Sequence, residues 1–325
     1  MQRLLRLFLP GLICLSAAMV PISGCQFWPY PSEGMLSSET AGTAESSYMT
    51  TVTDPAATQT AALPVTEPTG ESGTTDAPGD FSQLPNTKTG WYFVRPASLN
   101  QGIPAAIPAS IQSLVDGYGA IWQAAPSAGG EEPAICLTMD EGYEFENDTV
   151  QILDIAADKN VRITFFITGS YLEHNPSLIK RMVDEGHLVA NHTWGHPNMP
   201  ALLDQEGSPG ILTQLSRLEE AFKNLTGRDL ARYVRLPEGS YSERLLAILD
   251  AAGYRTVFWS FAYRDWVTDE QPDRQEAFDR VAGELHDGSV ILLHAVSATN
   301  VAILPSLIDE ARNRGYRFTR LDALP

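Results

Sequence analysis

Apolar and polar positions divide the chain into stretches with different patterning. An apolar run from Leu7 to Val20 follows Arg3 and Arg6 near the N-terminus. Small and polar residues then dominate until about Lys88, and Leu, Ile, Val and Phe are sparse there. From Trp91 onward, apolar residues return at the spacings of helices and strands, so packed structure is expected in this part of the chain.

Strand-like and helix-like segments alternate through the C-terminal part. Short apolar runs, many of them β-branched or aromatic, predict buried strands at 134–139, 161–167, 187–191, 233–236, 255–261, 290–293 and 316–319. Apolar residues at helical intervals predict helices at 108–122, 149–159, 175–184, 211–225, 243–252, 275–285 and 301–312. This alternation implies a parallel sheet with helical crossovers, and about seven units favour a barrel-like closure over an open doubly wound sheet.

The N-terminal stretch has the features of an export signal. A basic start, a short apolar core and small residues before Cys25 predict a secretory signal peptide at 1–24. A membrane-spanning helix would need about 20 apolar residues. The Ser-Gly-Cys ending resembles a bacterial lipobox, so an extracytoplasmic lipoprotein anchored to the membrane through Cys25 is expected. An ordinary signal peptide is the alternative.

Composition divides the remainder into three parts. Residues 25–88 are rich in Ser, Thr, Ala, Pro, Gly and Glu, and predict a disordered tether because they cannot bury enough apolar surface to offset their ordering entropy. A lead-in segment with one amphipathic helix is expected at 89–132, and a single domain at 133–325. The net charge of -18 without a basic cluster excludes nucleic acid as an expected partner.

The cysteines predict no disulfide in the mature protein. Cys14 lies in the predicted signal and Cys25 is the predicted anchor, so only Cys136 remains. Cys136 lies in a predicted strand and is expected to be a small buried apolar residue.

Five clusters of polar residues each follow a predicted strand, at 138–143, 191–196, 235–239, 263–266 and 292–294. Because side chains from different strands converge at the C-terminal face of a β/α barrel, the clusters predict one site. His192 and His196 are four residues apart. On a helical turn both imidazoles would project to one side and could hold one cation, although such a pair alone could equally be a solvated face.

The other clusters supply acids, bases and groups that orient them. Of the neighbours Asp140 and Glu141, one could bind a metal and the other accept a proton from the attacking water. Asp265 could orient His294 and keep it protonated. Arg235 could hold a carboxylate through a bidentate pair and lower its pKa. These residue types together indicate a metal-assisted hydrolase.

At these residues the chain resembles the polysaccharide deacetylase family, the NodB-homology domains of carbohydrate esterase family four. The resemblance covers about Pro133 to Ala323 and is carried by the stretches 137–144, 178–187, 191–197, 256–266 and 292–297. Within the family, the chain is especially similar to the delta-lactam-biosynthetic de-N-acetylases of spore cortex peptidoglycan.

The resemblance implies a distorted (β/α) barrel and removal of an N-acetyl group from a peptidoglycan amino sugar, with N-acetylmuramic acid favoured. The alternatives are N-acetylglucosamine in peptidoglycan or chitin-like oligomers, and a wall-binding lipoprotein without catalysis. The resemblance also implies one divalent metal ion, zinc or another transition metal, and glycan strands as the partner. A monomer is expected.

The resemblance assigns a role to each site residue. Asp140 would be the general base, braced by Arg235. His294 would be the general acid, oriented by Asp265. The backbone N–H near Glu238 would help to stabilise the oxyanion.

Metal binding would fall to His192, His196 and Glu141. The family usually has an Asp at position 141 and the delta-lactam group an Asn, so the longer Glu141 side chain could bind at another angle or leave a two-histidine site. The implied substrate-binding residues are Tyr143, Pro237, Glu238, Trp266 and Leu292.

Overall fold

A computed structural model describes residues 79–128 and 131–324, which form alternating strands and helices. The strands among these residues are β1 Thr89–Gly90, β2 Ala134–Glu141, β3 Thr164–Ile167, β4 Leu188–Asn191, β5 Ala231–Val234, β6 Ser240–Tyr241, β7 Arg255–Thr256, β8 Val290–His294 and β9 Arg317–Phe318. The helices are α1 Ala109–Gly117, α2 Asp148–Asp158, α3 Gly169–His174, α4 Pro176–Asp184, α5 Met199–Thr226, α6 Glu243–Ala251, α7 Arg274–Gly283 and α8 Ala298–Asn313.

The main sheet is parallel and curls until its edges meet. Its strand order is β7-β5-β4-β3-β2-β8, and β9 pairs with the start of β2. The chain after β7 continues to Phe261, which forms a parallel bridge with Ile291 of β8. This bridge joins the two edges, so the predicted distorted (β/α) barrel is confirmed.

Both faces of the central strands β2 and β3 are buried, which explains their largely apolar sequences. Ile135, Leu137 and Met139 of β2 pack into the cluster under the helices, whereas Cys136 points the other way, into a cluster with Phe166. Burial raises the pKa of the Cys136 thiol to about 12. Cys136 is therefore a structural residue, as expected.

Several elements differ from the sequence prediction. Helix α1 ends at Gly117 rather than at residue 122. Helix α5 begins at Met199 rather than at residue 211, and it bends at Gly207, where φ is 67°. The predicted strand at 255–261 keeps only two residues of regular pairing, in β7. Helix α3 was not predicted, because its six residues are too few for a helical period to show.

The lead-in segment packs on the barrel along most of its length. β1 pairs antiparallel with β6. Farther along, Ile121 bridges to Val257 and Gln123 to Ser289. The lead-in is therefore joined to the barrel by backbone pairing at several points.

The packed chain begins earlier than composition indicated. The guanidinium of Arg244 donates hydrogen bonds to the carbonyl oxygens of Ser82 and Leu84. The expected tether boundary at residue 88 is therefore too late, because a backbone carbonyl can accept a bond whatever its side chain is, and composition does not reveal such contacts. The predicted signal peptide, Cys25 and most of the tether lie outside the described residues.

No helix within 79–128 or 131–324 combines the length and the apolar character needed to cross a membrane.

Candidate active site

The polar clusters lie together at the C-terminal ends of the strands. Asp140 near the end of β2 is the register partner of His294 at the end of β8. Asn191 ends β4 and is followed by His192, and Arg235 follows the end of β5. Strand ends of a barrel share one rim, so side chains from four strands reach a common centre.

A buried ion pair between Asp140 and Arg235 lies at this centre. Nη1 of Arg235 is 2.8 Å from Oδ1 of Asp140. The expected bidentate pair is not formed, because Nε and Nη2 donate instead to the carbonyl oxygens of Val257 and Phe258, each at 3.4 Å. The guanidinium carbon also lies 4.1 Å from the centre of the Phe166 ring. These partners stabilise a charged side chain that has no solvent exposure.

The charges around Asp140 keep it ionised. Burial by itself raises its pKa, but the charge of Arg235 outweighs burial and brings the pKa below its ordinary value. A carboxylate that is ionised and nearly buried can accept a proton from water at neutral pH.

His192 and His196 lie side by side, although not on a helical turn. Their ring centroids are 4.9 Å apart and the planes meet at 76°. Thr193 and His196 have left-handed backbones, with φ of 69° and 53°. The Asn191 side chain accepts a bond from the Thr193 N–H, and the Thr193 hydroxyl accepts one from the His196 N–H. The predicted helical turn is wrong because these local bonds form a tight turn that pairs the rings instead.

The chemistry of the histidine pair fits a transition-metal ion. Nδ1 of His192 is 2.8 Å from the carbonyl oxygen of Arg235 and therefore carries the proton, which leaves Nε2 as an acceptor. Nε2 faces Oδ2 of Asp140 at 3.6 Å, and two facing acceptors favour a cation nearby. Burial lowers the pKa of His192, and it lowers that of His196 to about 3. A neutral imidazole whose other nitrogen donates to a carbonyl is the usual form of a histidine ligand.

Glu141 does not join the histidine pair. Side chains alternate along β2, so Glu141 faces away from Asp140 and towards α2. Its Oε2 is 3.4 Å from the Thr149 hydroxyl, and its buried Oε1 has no hydrogen-bond partner among the described residues. Burial, together with the charges of Glu144 and Asp140, raises the pKa of Glu141 well above its ordinary value. The hydrogen bond described for the Glu141 carboxylate is therefore with Thr149 of α2, and its assignment as a metal ligand stays a prediction.

Over the part of the chain that the structure describes, no group of three or more His, Cys, Asp or Glu side chains is arranged to hold a metal ion.

A buried network holds His294. Its Nδ1 lies 2.7 Å from Oδ1 of Asp265, and its backbone N–H donates to Oδ2 at 2.8 Å. The Asn300 amide donates to the same Oδ2 at 2.6 Å and to the carbonyl of His294 at 3.1 Å. The Tyr263 hydroxyl donates to the Asn300 carbonyl oxygen. Burial alone lowers the pKa of His294, but the charge of Asp265 outweighs it and the pKa is raised.

Sequence reasoning missed Asn300 as part of this network. Asn300 lies in the first turn of α8, where its N–H donates to the Ser297 hydroxyl. The only signal in the sequence is that Ser297 precedes a helix as a typical N-cap. Such a signal predicts a helix start and not a contact with Asp265.

The predicted substrate-binding residues differ in their surroundings. The Trp266 ring lies 5.3 Å from the His294 ring, centroid to centroid, and Leu292 is buried within β8. Tyr143 is 47% exposed. Tyr143 lines a cavity of about 360 Å³ together with Glu144, Ser170, His174 and Asn175.

Pro237 and Glu238 lie in a short turn of 3-10 helix at residues 237–239. Glu238 has a left-handed backbone with φ of 60°. Its carboxylate accepts a bond from the Asn198 amide at 2.9 Å and lies 3.6 Å from the Lys88 ammonium. Glu238 thus contacts Lys88, just before the lead-in, and the segment that follows His196.

The chain is similar to known deacetylases. A family model described as polysaccharide deacetylase matches residues 127–257. The peptidoglycan-N-acetylmuramic acid deacetylase PdaA of Bacillus subtilis is 35% identical over 74% of this chain and 87% of its own. The solved structure of that protein, described as a family 4 carbohydrate esterase, aligns with a TM-score of 0.68 over 74% of this chain and 98% of its own, at 35% identity. A chitooligosaccharide deacetylase of Sinorhizobium fredii is 32% identical over 59% of this chain and 91% of its own.

The burial of Glu141 predicts a pH-dependent effect on stability. The raised pKa means that folded Glu141 keeps its proton, whereas the unfolded chain loses it above its ordinary pKa of 4.5. Folding stability is therefore lost as pH rises from 4.5 through the pKa of the folded state. We expect Glu141→Gln, which resembles the protonated acid, to gain stability over the wild type increasingly above pH 4.5. Urea unfolding at several pH values measures this difference.

The matched control is Glu173→Gln, which removes a carboxylate that is exposed on α3. We expect its difference from the wild type to stay nearly constant with pH. A Glu141→Gln difference that is equally flat would show that Glu141 is ionised in the folded protein.

Proposed function

Because the chain belongs to the polysaccharide deacetylase family, we propose that it removes the N-acetyl group from N-acetylmuramic acid in peptidoglycan. The observation that carries the proposal is the pairing of an ionised base with a protonated acid in register on adjacent strands. Arg235 keeps Asp140 ionised, and Asp265 keeps His294 protonated. A site that only bound glycan would need neither arrangement.

The reaction is the hydrolysis of an amide. Asp140 accepts a proton from the water whose oxygen bonds to the acetyl carbon, and His294 donates a proton to the sugar nitrogen as the C–N bond breaks. The products are acetate and a free amine. In this proposal the backbone N–H of Glu238 stabilises the negative oxygen of the tetrahedral intermediate, since Pro237 has no N–H and the Gly239 N–H donates to Leu236.

The proposed cofactor is one divalent transition-metal ion held by His192 and His196. When bound, such an ion supplies a Lewis acid for the acetyl carbonyl. The support is the neutral state of both imidazoles and the bond between His192 and the Arg235 carbonyl.

The choice of muramic acid follows the similarity to PdaA. A second candidate, N-acetylglucosamine in peptidoglycan or chitin-like oligomers, is favoured by Glu238. A carboxylate at the turn of 237–239 would repel the lactyl carboxylate of a muramic acid that carries no stem peptide. The Lys88 ammonium at 3.6 Å offsets part of that charge.

The proposed location is the outer side of the cell membrane, with lipid attached at Cys25. Its support is the sequence of residues 1–25 alone. The tether would then let a monomeric domain reach peptidoglycan glycan strands.

Metal binding should depend on the histidines and not on Glu141. We expect His196→Gln to weaken zinc binding at least about tenfold, since even the outer partners of a ligand contribute that much. Glu141→Gln should bind zinc as the wild type does. Competition with a fluorescent zinc chelator measures both variants. If Glu141→Gln weakened binding as much as His196→Gln, Glu141 would be a ligand after all.

Acetate release tests the proposed activity directly. We expect the protein with added zinc to release acetate from glycan strands that carry muramic acid without peptide stems. Asp140→Asn should slow the release by about 100-fold or more, because it removes the general base. The exposed Asp269→Asn in another loop serves as the control. Release only from chitin oligomers would favour the second candidate, and no release from any glycan would refute both.

The raised pKa of His294 predicts the alkaline limit of activity. His294 should remain protonated above its ordinary pKa of 6.5, so the rate should begin to fall only above that pH. Asp265→Asn removes the charge that raises the pKa. We therefore expect the alkaline limb of the kcat/KM profile to move to lower pH, while Asp269→Asn leaves it in place. An unmoved limb in Asp265→Asn would assign the limb to another group.

A further inference from the structure

Trp91 of the lead-in packs against the backbone that follows β7. Its ring stacks on the Phe258 ring, with centroids 4.2 Å apart and planes 9° from parallel. Its indole N–H donates to the carbonyl oxygen of Trp259 at 2.9 Å. Only 4% of Trp91 is exposed, so this contact lies inside the protein.

The same stretch of backbone orients Arg235. The guanidinium donates to the carbonyl oxygens of Val257 and Phe258, both at 3.4 Å. A donor–acceptor distance of 3.4 Å is near the upper limit for a hydrogen bond, so a small shift of the carbonyls would break both bonds. Residues 257–259 are thus contacted by Trp91 and also by the residue that braces Asp140.

Beyond β7 this backbone is held by single bonds to several elements rather than by a regular strand ladder. Regular pairing of β7 ends at Thr256. Beyond it, Val257 N–H donates to Val234 and Phe258 N–H donates to Ile121 of the lead-in. The Ser260 N–H also donates to Val290 of β8, so backbone bonds hold the chain on both sides of the Phe258 carbonyl. Between those bonds, the Phe258 ring stacks on Trp91 and the Trp259 carbonyl accepts from its indole N–H.

Trp91 also fixes the turn at 237–239. Its backbone N–H donates to the Gly239 carbonyl at 2.8 Å, beside the pairing of β1 with β6. A Cβ atom at Gly239 would lie 2.8 Å from the Trp259 ring and 3.2 Å from Cβ of Trp91, so the packing there is close. One side chain and its backbone therefore contact both segments that the reaction needs.

We propose that Trp91 is a positioning residue for the deacetylation, acting through Arg235 on Asp140 and through Gly239 on the turn of the proposed oxyanion donor. This inference rests on the proposed function. A misplacement of about 1 Å in a reacting group can slow an enzyme about 100-fold without loss of the fold. Trp91 lies far along the sequence from both segments, outside the residues 127–257 that match the family model.

Two substitutions of Trp91 in the full chain test the proposal. Trp91→Leu removes the stack and the indole bond, and we expect kcat for acetate release to fall at least about tenfold with KM changed less than about twofold. Trp91→Phe keeps an aromatic ring but loses the bond to Trp259, and we expect an intermediate kcat.

Matched controls come from Trp122 of the same apolar cluster. Trp122 is 5% exposed and its ring centroid lies 6.0 Å from that of Trp91. We expect Trp122→Leu and Trp122→Phe to lower the Tm to a similar degree and to keep kcat. If kcat fell in proportion to Tm in all four variants, or if Trp91 variants raised KM alone, the proposal would be overturned.

Hydrogen exchange measured by mass spectrometry separates this proposal from the proposed function. Trp91→Leu should speed exchange at 235–241 and 256–260 and leave 164–167 unchanged, whereas Trp122→Leu should leave 235–241 unchanged. If the wild type released no acetate from any glycan, the deacetylase proposal would fail, and the positioning role would fail with it. If the wild type is active and exchange in Trp91→Leu is unchanged, only the positioning role is refuted.

Discussion

The ion pair between Asp140 and Arg235 is the constraint on which the site depends. A guanidinium without solvent exposure needs a partner for its charge and acceptors for its remaining N–H groups. Asp140 provides the first, and the carbonyls of Val257 and Phe258 provide the second. These two carbonyl acceptors must be held in place. Hydrogen bonds from the chain beyond β7 to β5, to β8 and to the lead-in hold them. The ionised state of Asp140 thus depends on ordered backbone around Arg235.

Two adjacent carboxyl groups on β2 show how the fold determines the protonation state of a side chain. Asp140 faces the barrel interior, where cationic groups lower its pKa. Glu141 faces the helices, where burial and neighbouring carboxylates raise its pKa. The two side chains differ by only one methylene, so their opposite protonation states result from the different surroundings on the two faces of β2. Glu141 therefore packs against α2, where its carboxyl group meets the Thr149 hydroxyl.

Most of the fold was predictable because buried parallel strands have continuous apolar sequences. The seven strands of the sheet and the helices between them follow that signal, and barrel topology then brings the strand ends together. Features without a periodic signal were not predictable. Helix α3 is too short, the turn of His192 and His196 depends on local side-chain bonds, and Asn300 reaches Asp265 only because α8 begins beside β8.

The sequence alone determined the barrel, the strand-end clusters and the family, because hydrophobic periodicity and local motifs are properties of short segments. Only the tertiary structure decided which side chains lie close enough to form hydrogen bonds and shift one another's pKa. It separated Glu141 from the histidines, added Asn300 to Asp265 and connected Trp91 to the backbone behind Arg235. Such contacts join residues far apart in the chain, and the direction of a side chain and the charges around it arise only when the layers pack.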